Sequence, residues 1–178
     1  MILLLNGAFG IGKTSVARVL VKRMPGAVLY DPEIVGIVLQ RAARMVGRDV
    51  PDFQELRLWR QLTIAALWLV RRFRRTVIVP MAFSEVRYLE EIRDGIARFE
   101  TMQFHFCLVA PLDVVQQRLQ TRRLKAADAA WQYRRAAECC AVHGDGAFAM
   151  QVNAADRDVN EIADEIVYAL ASAIRRSR

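Results

Sequence analysis

Residues 7–14 read Gly-Ala-Phe-Gly-Ile-Gly-Lys-Thr, the spacing G-x-x-x-x-G-K-[ST], with an apolar stretch before it and helical periodicity after it. Such a stretch can wrap phosphate oxygens. Gly7, Ala8, Phe9, Gly10, Ile11 and Gly12 are expected to turn backbone N–H groups toward an anion that also faces the positive end of the following helix. Lys13 then reaches the β- and γ-phosphates, and the Thr14 hydroxyl, beside Ser15, coordinates magnesium. The ligand that these residues imply is ATP with Mg2+.

Asp31 follows a short apolar stretch, Ala27 to Tyr30, and precedes Pro32. At the end of a strand beside the phosphate loop, it can accept the proton of an acceptor hydroxyl or hold a magnesium-bound water. The competing reading is a helix cap, which a residue before Pro32 also suits. Arg118 and Arg122 lie four apart, on one helical face, with Arg123 and Lys125 following. One arginine of this series can stack on adenine while another closes over the γ-phosphate and balances transition-state charge; a solvated basic face is the plainer alternative.

The elements that must position these groups alternate. Strands are expected over 2–5, 27–30, 76–79, 103–109 and 149–153, the third stopped by Pro80. Helices are expected over 15–24, 32–44, 54–74, 85–98 and 112–122, in a stretch ending near 141, and over 159–173. Residues 123–130 read as a charged, alanine-rich connection, and 122–134 as a lid. This order predicts one α/β domain over 1–178: a five-stranded parallel sheet with helices on both faces, in the three-layer architecture of nucleoside monophosphate and shikimate kinases. Residues 32–74 form its acceptor side. Ligands of such sheets gather outside the carboxyl ends of the strands.

Composition narrows the chemistry. Of 178 residues, 54% are hydrophobic and 25% charged, which supports a packed core. Lys and Arg number 26 against 19 acids, a net +7 that favours anionic ligands. No stretch interleaves aromatics with arginines as an RNA platform would. No Asn-Lys-x-Asp segment reads guanine, and no apolar strand ends in the Asp-Glu of a motor ATPase. Cys107, Cys139, Cys140, His105 and His143 lack zinc spacing and a disulfide pattern, so structural roles in a reducing, cytoplasmic compartment are expected. The longest apolar run, 62–70, is too short to cross a membrane.

Beyond the loop, the chain resembles the tunicamycin-resistance protein family of small P-loop proteins, related in architecture to shikimate, chloramphenicol and nucleoside monophosphate kinases. The resemblance runs through Asn6-Gly7-Ala8-Phe9-Gly10 with Gly12-Lys13-Thr14, Tyr30-Asp31-Pro32-Glu33 with Gly36, and Asp52-Phe53-Gln54 with Leu58-Trp59-Arg60. It continues through Ile78-Val79-Pro80-Met81, Arg118-Leu119 with Thr121-Arg122, and Ala130-Trp131. It implies catalytic roles for Lys13, Asp31 and Arg122, and an acceptor site touched by Asp31, Glu33, Phe53, Trp59, Arg60, Met81 and Arg134.

Phe53 and Trp59 would be ring platforms, though aromatics at this spacing also suit a core. The resemblance further implies resistance to a uridine-containing, lipid-tailed nucleoside antibiotic, by phosphorylating the drug or a related uridine amino-sugar, or by binding the drug without chemistry. Glu138 stands before Cys139 where the family pattern places an arginine, with Arg134 and Arg135 a turn earlier. The terminal Arg175, Arg176 and Arg178 add only modest attraction to a membrane surface. Partners are then a nucleotide and a small acceptor, without nucleic acid, for a monomer or homodimer.

Overall fold

The computed structural model describes residues 1–48, 50, 52–122, 126–148 and 150–176, the side chains of 126–128 aside. Five strands form one sheet: β1 (Ile2–Gly7), β2 (Ala27–Leu29), β3 (Thr76–Met81), β4 (Gln103–Val109) and β5 (Met150–Asn153). All pairings are parallel, in the order β2-β3-β1-β4-β5. The helices between them are α1 (Lys13–Arg23), α2 (Glu33–Met45), α3 (Arg57–Phe73), α4 (Val86–Ala97), α5 (Leu112–Gln120), α6 (Ala126–His143) and α7 (Val159–Arg176).

β1 is fully buried because both of its faces are covered. Leu3 and Leu5 pack with Val16, Leu20, Ile166 and Leu170 on one side, and Ile2 and Leu4 with Trp59, Leu67, Leu89 and Ile92 on the other. This is the three-layer α/β architecture expected from the alternation of elements.

β3 runs through Pro80 instead of stopping at Val79. Ile78 faces β2, since its carbonyl accepts the N–H of Tyr30. Pro80 shares that parity, so the N–H it lacks would point where β2 has already ended at Leu29. Pairing with Leu5 of β1 continues undisturbed.

The helix expected over 54–74 is two pieces. Phe53–Glu55 is a single 3₁₀ turn capped by the Asp52 carboxylate, which accepts from the N–H of Gln54 at 2.9 Å. Leu56 is extended, and α3 begins after it. The alanine-rich stretch from Ala126 is helix, not connection, in keeping with alanine's helix propensity. The proposed lid, 122–134, therefore divides into Arg122, the opening turns of α6, and positions 123–125, which lie outside the described residues. No described helix is long and apolar enough to cross a membrane.

Asn6 ties β1 to the segment beyond β3. Its Oδ1 accepts from the Phe83 N–H at 2.8 Å, and its Nδ2 donates to the Phe83 carbonyl at 3.2 Å. His143 Nε2 lies 2.6 Å from the same carbonyl, a distance that calls for the Nε2–H tautomer and leaves Nδ1 without a partner among the described residues. Burial pushes His143 and His105 down to about 4.

A histidine depressed when folded weakens the fold as pH falls from about 6.5, because the unfolded chain takes the proton first. The loss is expected to reach at most ~3 kcal/mol for His143 by pH 4. Urea unfolding of wild type and His143→Gln between pH 7.5 and 4.5 checks this. The variant's stability should change less with pH, and parallel curves would contradict the assignment.

Candidate functional site

The turn after β1 is made by backbone that only glycine adopts freely: Gly10 has φ +89° and Gly12 φ +109°. Gly12 also caps α1, so the uncapped N–H groups of that helix open onto the turn. Lys13, 7% exposed, folds back and donates from Nζ to the Ala8 carbonyl at 3.0 Å, with Phe9 stacked 5.2 Å below. Phe9 itself packs edge-on against Trp131 of α6, at 4.9 Å. Ala8 and Ile11 are core residues beneath the turn, and Gly7 abuts Leu108 and Ile11.

A cavity of about 70 Å³ sits at this turn, lined by Lys13, Thr14, Ser15, Asp31, Glu33 and Arg122, with Pro80 of β3. The candidates for phosphate, magnesium and proton transfer thus converge at the carboxyl ends of β1, β2 and β3. Asp31 keeps one oxygen for structure: Oδ1 accepts the Glu33 N–H at 3.0 Å, the cap expected of a residue before Pro32. Burial raises the Glu33 carboxyl above its usual value; Lys13 opposes the rise, and the charges of Asp31 and Asp52 reinforce it. Burial likewise lowers Lys13, with Glu33 the main charge holding it protonated. Thr14, Asp31 and Glu33 are hard oxygen donors, a set that suits Mg2+. Among the described residues no group of three His, Cys, Asp or Glu could hold a metal unaided.

Beside this cavity a cleft of about 520 Å³ runs between Gly10, Gly12 and Ser15 of the loop and Arg157 and Asn160 at the start of α7, with Arg118 and Arg122 along one wall. Its position suits the nucleoside. Arg118 has most of its donors committed: Nη1 to Ile11 O at 3.0 Å, and Nη2 to Ala154 O and Ala155 O at 2.7 and 2.5 Å. It straps the phosphate loop to the β5–α7 turn, so what it offers a base is the face of the guanidinium. Arg157, which reaches Glu165 and the Glu161 carbonyl, was not among the expected residues; nothing in its local sequence marks it. Arg123 and Lys125 fall outside the described residues.

On the acceptor side several expectations need correction. Phe53 and Trp59 are core: Trp59 is 1% exposed, packs edge-on to Phe53 at 5.1 Å, and donates from Nε1 to the Pro32 carbonyl at 2.9 Å. Gly36 permits this, since a Cβ there would lie 2.3 Å from the Phe53 ring. The pair anchors α2, and so Glu33, instead of offering ring platforms. Met81 is buried in the same cluster.

Arg60 is turned away, bound to Glu91 at 2.6 Å and to the Gln54 carbonyl at 2.5 Å and stacked on Tyr88. It faces a groove of about 770 Å³ between α3 and α4, which shares no lining residue with the phosphate cavity.

Arg134 points to solvent; its neighbour Arg135 is the buried one. Arg135 meets Asp52 Oδ2 at 2.9 Å, Ser84 Oγ at 2.9 Å and Glu138 Oε2 at 2.5 Å. Glu138, the departure from the family pattern, is therefore a partner of this arginine. With Asp52, Glu55, Ser84, Glu85 and Tyr88, Arg135 lines a second pocket of about 190 Å³. Cys107 and Cys139 are buried thiols, pushed up to about 12 by burial.

The chain shows the same arrangement as known proteins. A structure of the tunicamycin resistance protein of Deinococcus radiodurans superimposes with a TM-score of 0.73, at 25% identity, over 96% of this chain and 95% of that one. A gluconokinase from Sinorhizobium meliloti 1021 (TM-score 0.68, 15% identity, 98% and 93% covered) and a shikimate kinase from Bacteroides thetaiotaomicron (0.60, 14%, 96% and 98%) share the fold. No curated protein matches by sequence. The expected likeness to tunicamycin-resistance proteins and to P-loop kinases is met. The AAA domain family model matches residues 2–138, and the chain belongs to that family, with the kinase-like P-loop fold.

Proposed function

We propose that the chain is an ATP-dependent phosphotransferase acting on a hydroxyl group of a small acceptor, either a nucleoside antibiotic of the tunicamycin type or a related uridine amino-sugar. One observation carries this: two carboxylates, Asp31 and Glu33, line the same small cavity as Lys13, Arg122 and Thr14. Bound Mg2+ and triphosphate would supply the transferable phosphoryl group and the charge that polarises it.

Lys13 and Arg122 then balance negative charge, while the loop N–H groups fix the phosphates. The acceptor oxygen bonds to phosphorus, the bond to the leaving phosphate breaks, and the hydroxyl proton passes to the carboxylate pair. Asp31 is the base in this scheme. Glu33, whose carboxyl burial raises above its usual value, stands beside it. The tunicamycin-resistance likeness supports the acceptor class, and a cytoplasmic site of action belongs to the same reading.

Mass spectrometry of acceptors incubated with protein and Mg-ATP tests the reaction. The panel is tunicamycin, UDP-N-acetylglucosamine, chloramphenicol, shikimate and nucleoside monophosphates. A gain of one phosphoryl mass on the drug or the amino-sugar is expected. Asp31→Asn should lower kcat by a factor of ~10² to 10⁴ with drug binding retained. Tunicamycin binding with no mass gain and no drug-dependent ADP would make the chain a sequestering protein.

A further inference from the structure

Phe9 stands within the phosphate loop and has two neighbours of different kinds. Its ring lines the phosphate cavity with the Lys13 ammonium 5.2 Å from its centroid, and it meets the Trp131 indole edge-on at 4.9 Å and 68°. The same ammonium donates to the carbonyl of Ala8, the residue before Phe9. The placement of Phe9 therefore governs both contacts of the Lys13 head, and a ring beside a buried cation offsets part of the cost of burying it.

Trp131 is built to hold that ring still. It lies in the second turn of α6 and packs against both core clusters, the one around Leu3 and Leu5 on one side of the sheet and the one around Ile2 and Leu4 on the other. Four residues on, and so on the same helical face, Arg135 binds Asp52 Oδ2 and Ser84 Oγ, each at 2.9 Å. One face of α6 thus holds the phosphate loop at Trp131 and the acceptor-side segments at Arg135.

Packing against both clusters would by itself make Trp131 a core residue. What sets it apart is the run of contacts from its indole through Phe9 to a lysine that faces the phosphate cavity. We propose that Trp131 is a positioning residue: acting through Phe9, it holds the Lys13 ammonium where the β- and γ-phosphates arrive, so that α6 joins phosphate binding to the acceptor side. The catalytic consequence rests on the phosphotransferase reading, whereas the effect on binding rests on the phosphate loop alone.

Calorimetric titration with Mg-ATP and with adenosine monophosphate tests this, because Lys13 reaches the β- and γ-phosphates, which the monophosphate lacks. Trp131→Leu keeps apolar bulk and removes the ring contact. It should weaken Mg-ATP binding about tenfold, the scale of an aromatic pair, and leave the monophosphate within about twofold. Trp131→Phe returns a ring to Phe9 and should bind Mg-ATP within about threefold of wild type. In a Lys13→Met background, Trp131→Leu should cost nothing further, since the two act through one contact. Phe9→Leu should reproduce the selective loss, and it carries the test if Trp131→Leu does not fold.

Equal weakening of both nucleotides would make Trp131 a packing residue and overturn the proposal. So would a further loss in the Lys13→Met background, or unchanged Mg-ATP binding in Trp131→Leu. With the acceptor found by mass spectrometry, kcat of Trp131→Leu should also fall about tenfold. A selective loss of Mg-ATP binding in a protein that phosphorylates no acceptor would overturn the phosphotransferase reading and leave the positioning role standing.

Discussion

Lys13→Met is expected to lower phosphoryl transfer about a thousand-fold, ~4 kcal/mol of transition-state stabilisation, and to weaken ATP binding, while the protein stays folded. Lys13 is the first residue of α1 and, among the described residues, the only lysine lining the phosphate cavity. Its stem lies over Phe9, and its ammonium is bonded to the Ala8 carbonyl. That bond holds the loop closed around a charge which burial makes costly and which Glu33 and Asp31 help to sustain. Methionine replaces the stem and its contact with Phe9 but brings neither charge nor donor. Rates with the acceptor found by mass spectrometry, together with thermal unfolding of both proteins, separate the effects. An unfolding temperature within a few degrees of wild type and a rate within tenfold would mean that the phosphates are bound elsewhere.

The phosphate loop was legible because its geometry is written in residue types. A backbone at φ +89° and +109° requires glycine, and glycine at those positions, followed by Lys-Thr, has few other uses. The sheet was legible for a similar reason: strands buried on both faces read as unbroken apolar runs such as Ile2 to Leu5.

The acceptor side was not, because three separated segments make it. Residues 52–55, 84–88 and 135 meet only after α3, β3 and α6 are packed, and no local spacing records that. The choice between Arg134 and Arg135 is a rotation of about 100° on one helix, which tertiary packing settles. Phe53 and Trp59 fit a ring platform or a core equally well by type, and the edge-on contact between them, with the hydrogen bond from Trp59 to the Pro32 carbonyl, decides for the core. Pro80 misled for a subtler reason. A proline inside a central strand is excluded only if its missing N–H would have had a partner, and here the neighbouring strand ends first.

Arg135→Met is expected to be the most destabilising single change on the acceptor side, at ~3–5 kcal/mol, because it strands a buried carboxylate. Asp52 is already raised by burial, and Arg135 is the largest influence opposing that rise. With the arginine gone, Asp52 must be buried unpaired or take up a proton, and Ser84 and Glu138 lose their shared donor. Three controls isolate the cause. Arg134→Met removes an equal charge one residue away, from a side chain that is 61% exposed, and should stay within ~0.5 kcal/mol of wild type. Asp52→Asn in the Arg135→Met background should recover most of the loss, since the remaining partner is then neutral.

The third control is pH. A carboxyl raised in the folded state binds its proton more readily there than in the unfolded chain. The penalty of Arg135→Met should therefore be greatest near neutrality and shrink as pH falls through the folded pKa of Asp52. Urea unfolding of the four proteins at several pH values reads all three. A penalty that is independent of pH and untouched by Asp52→Asn would mean that Arg135 holds α6 by packing alone.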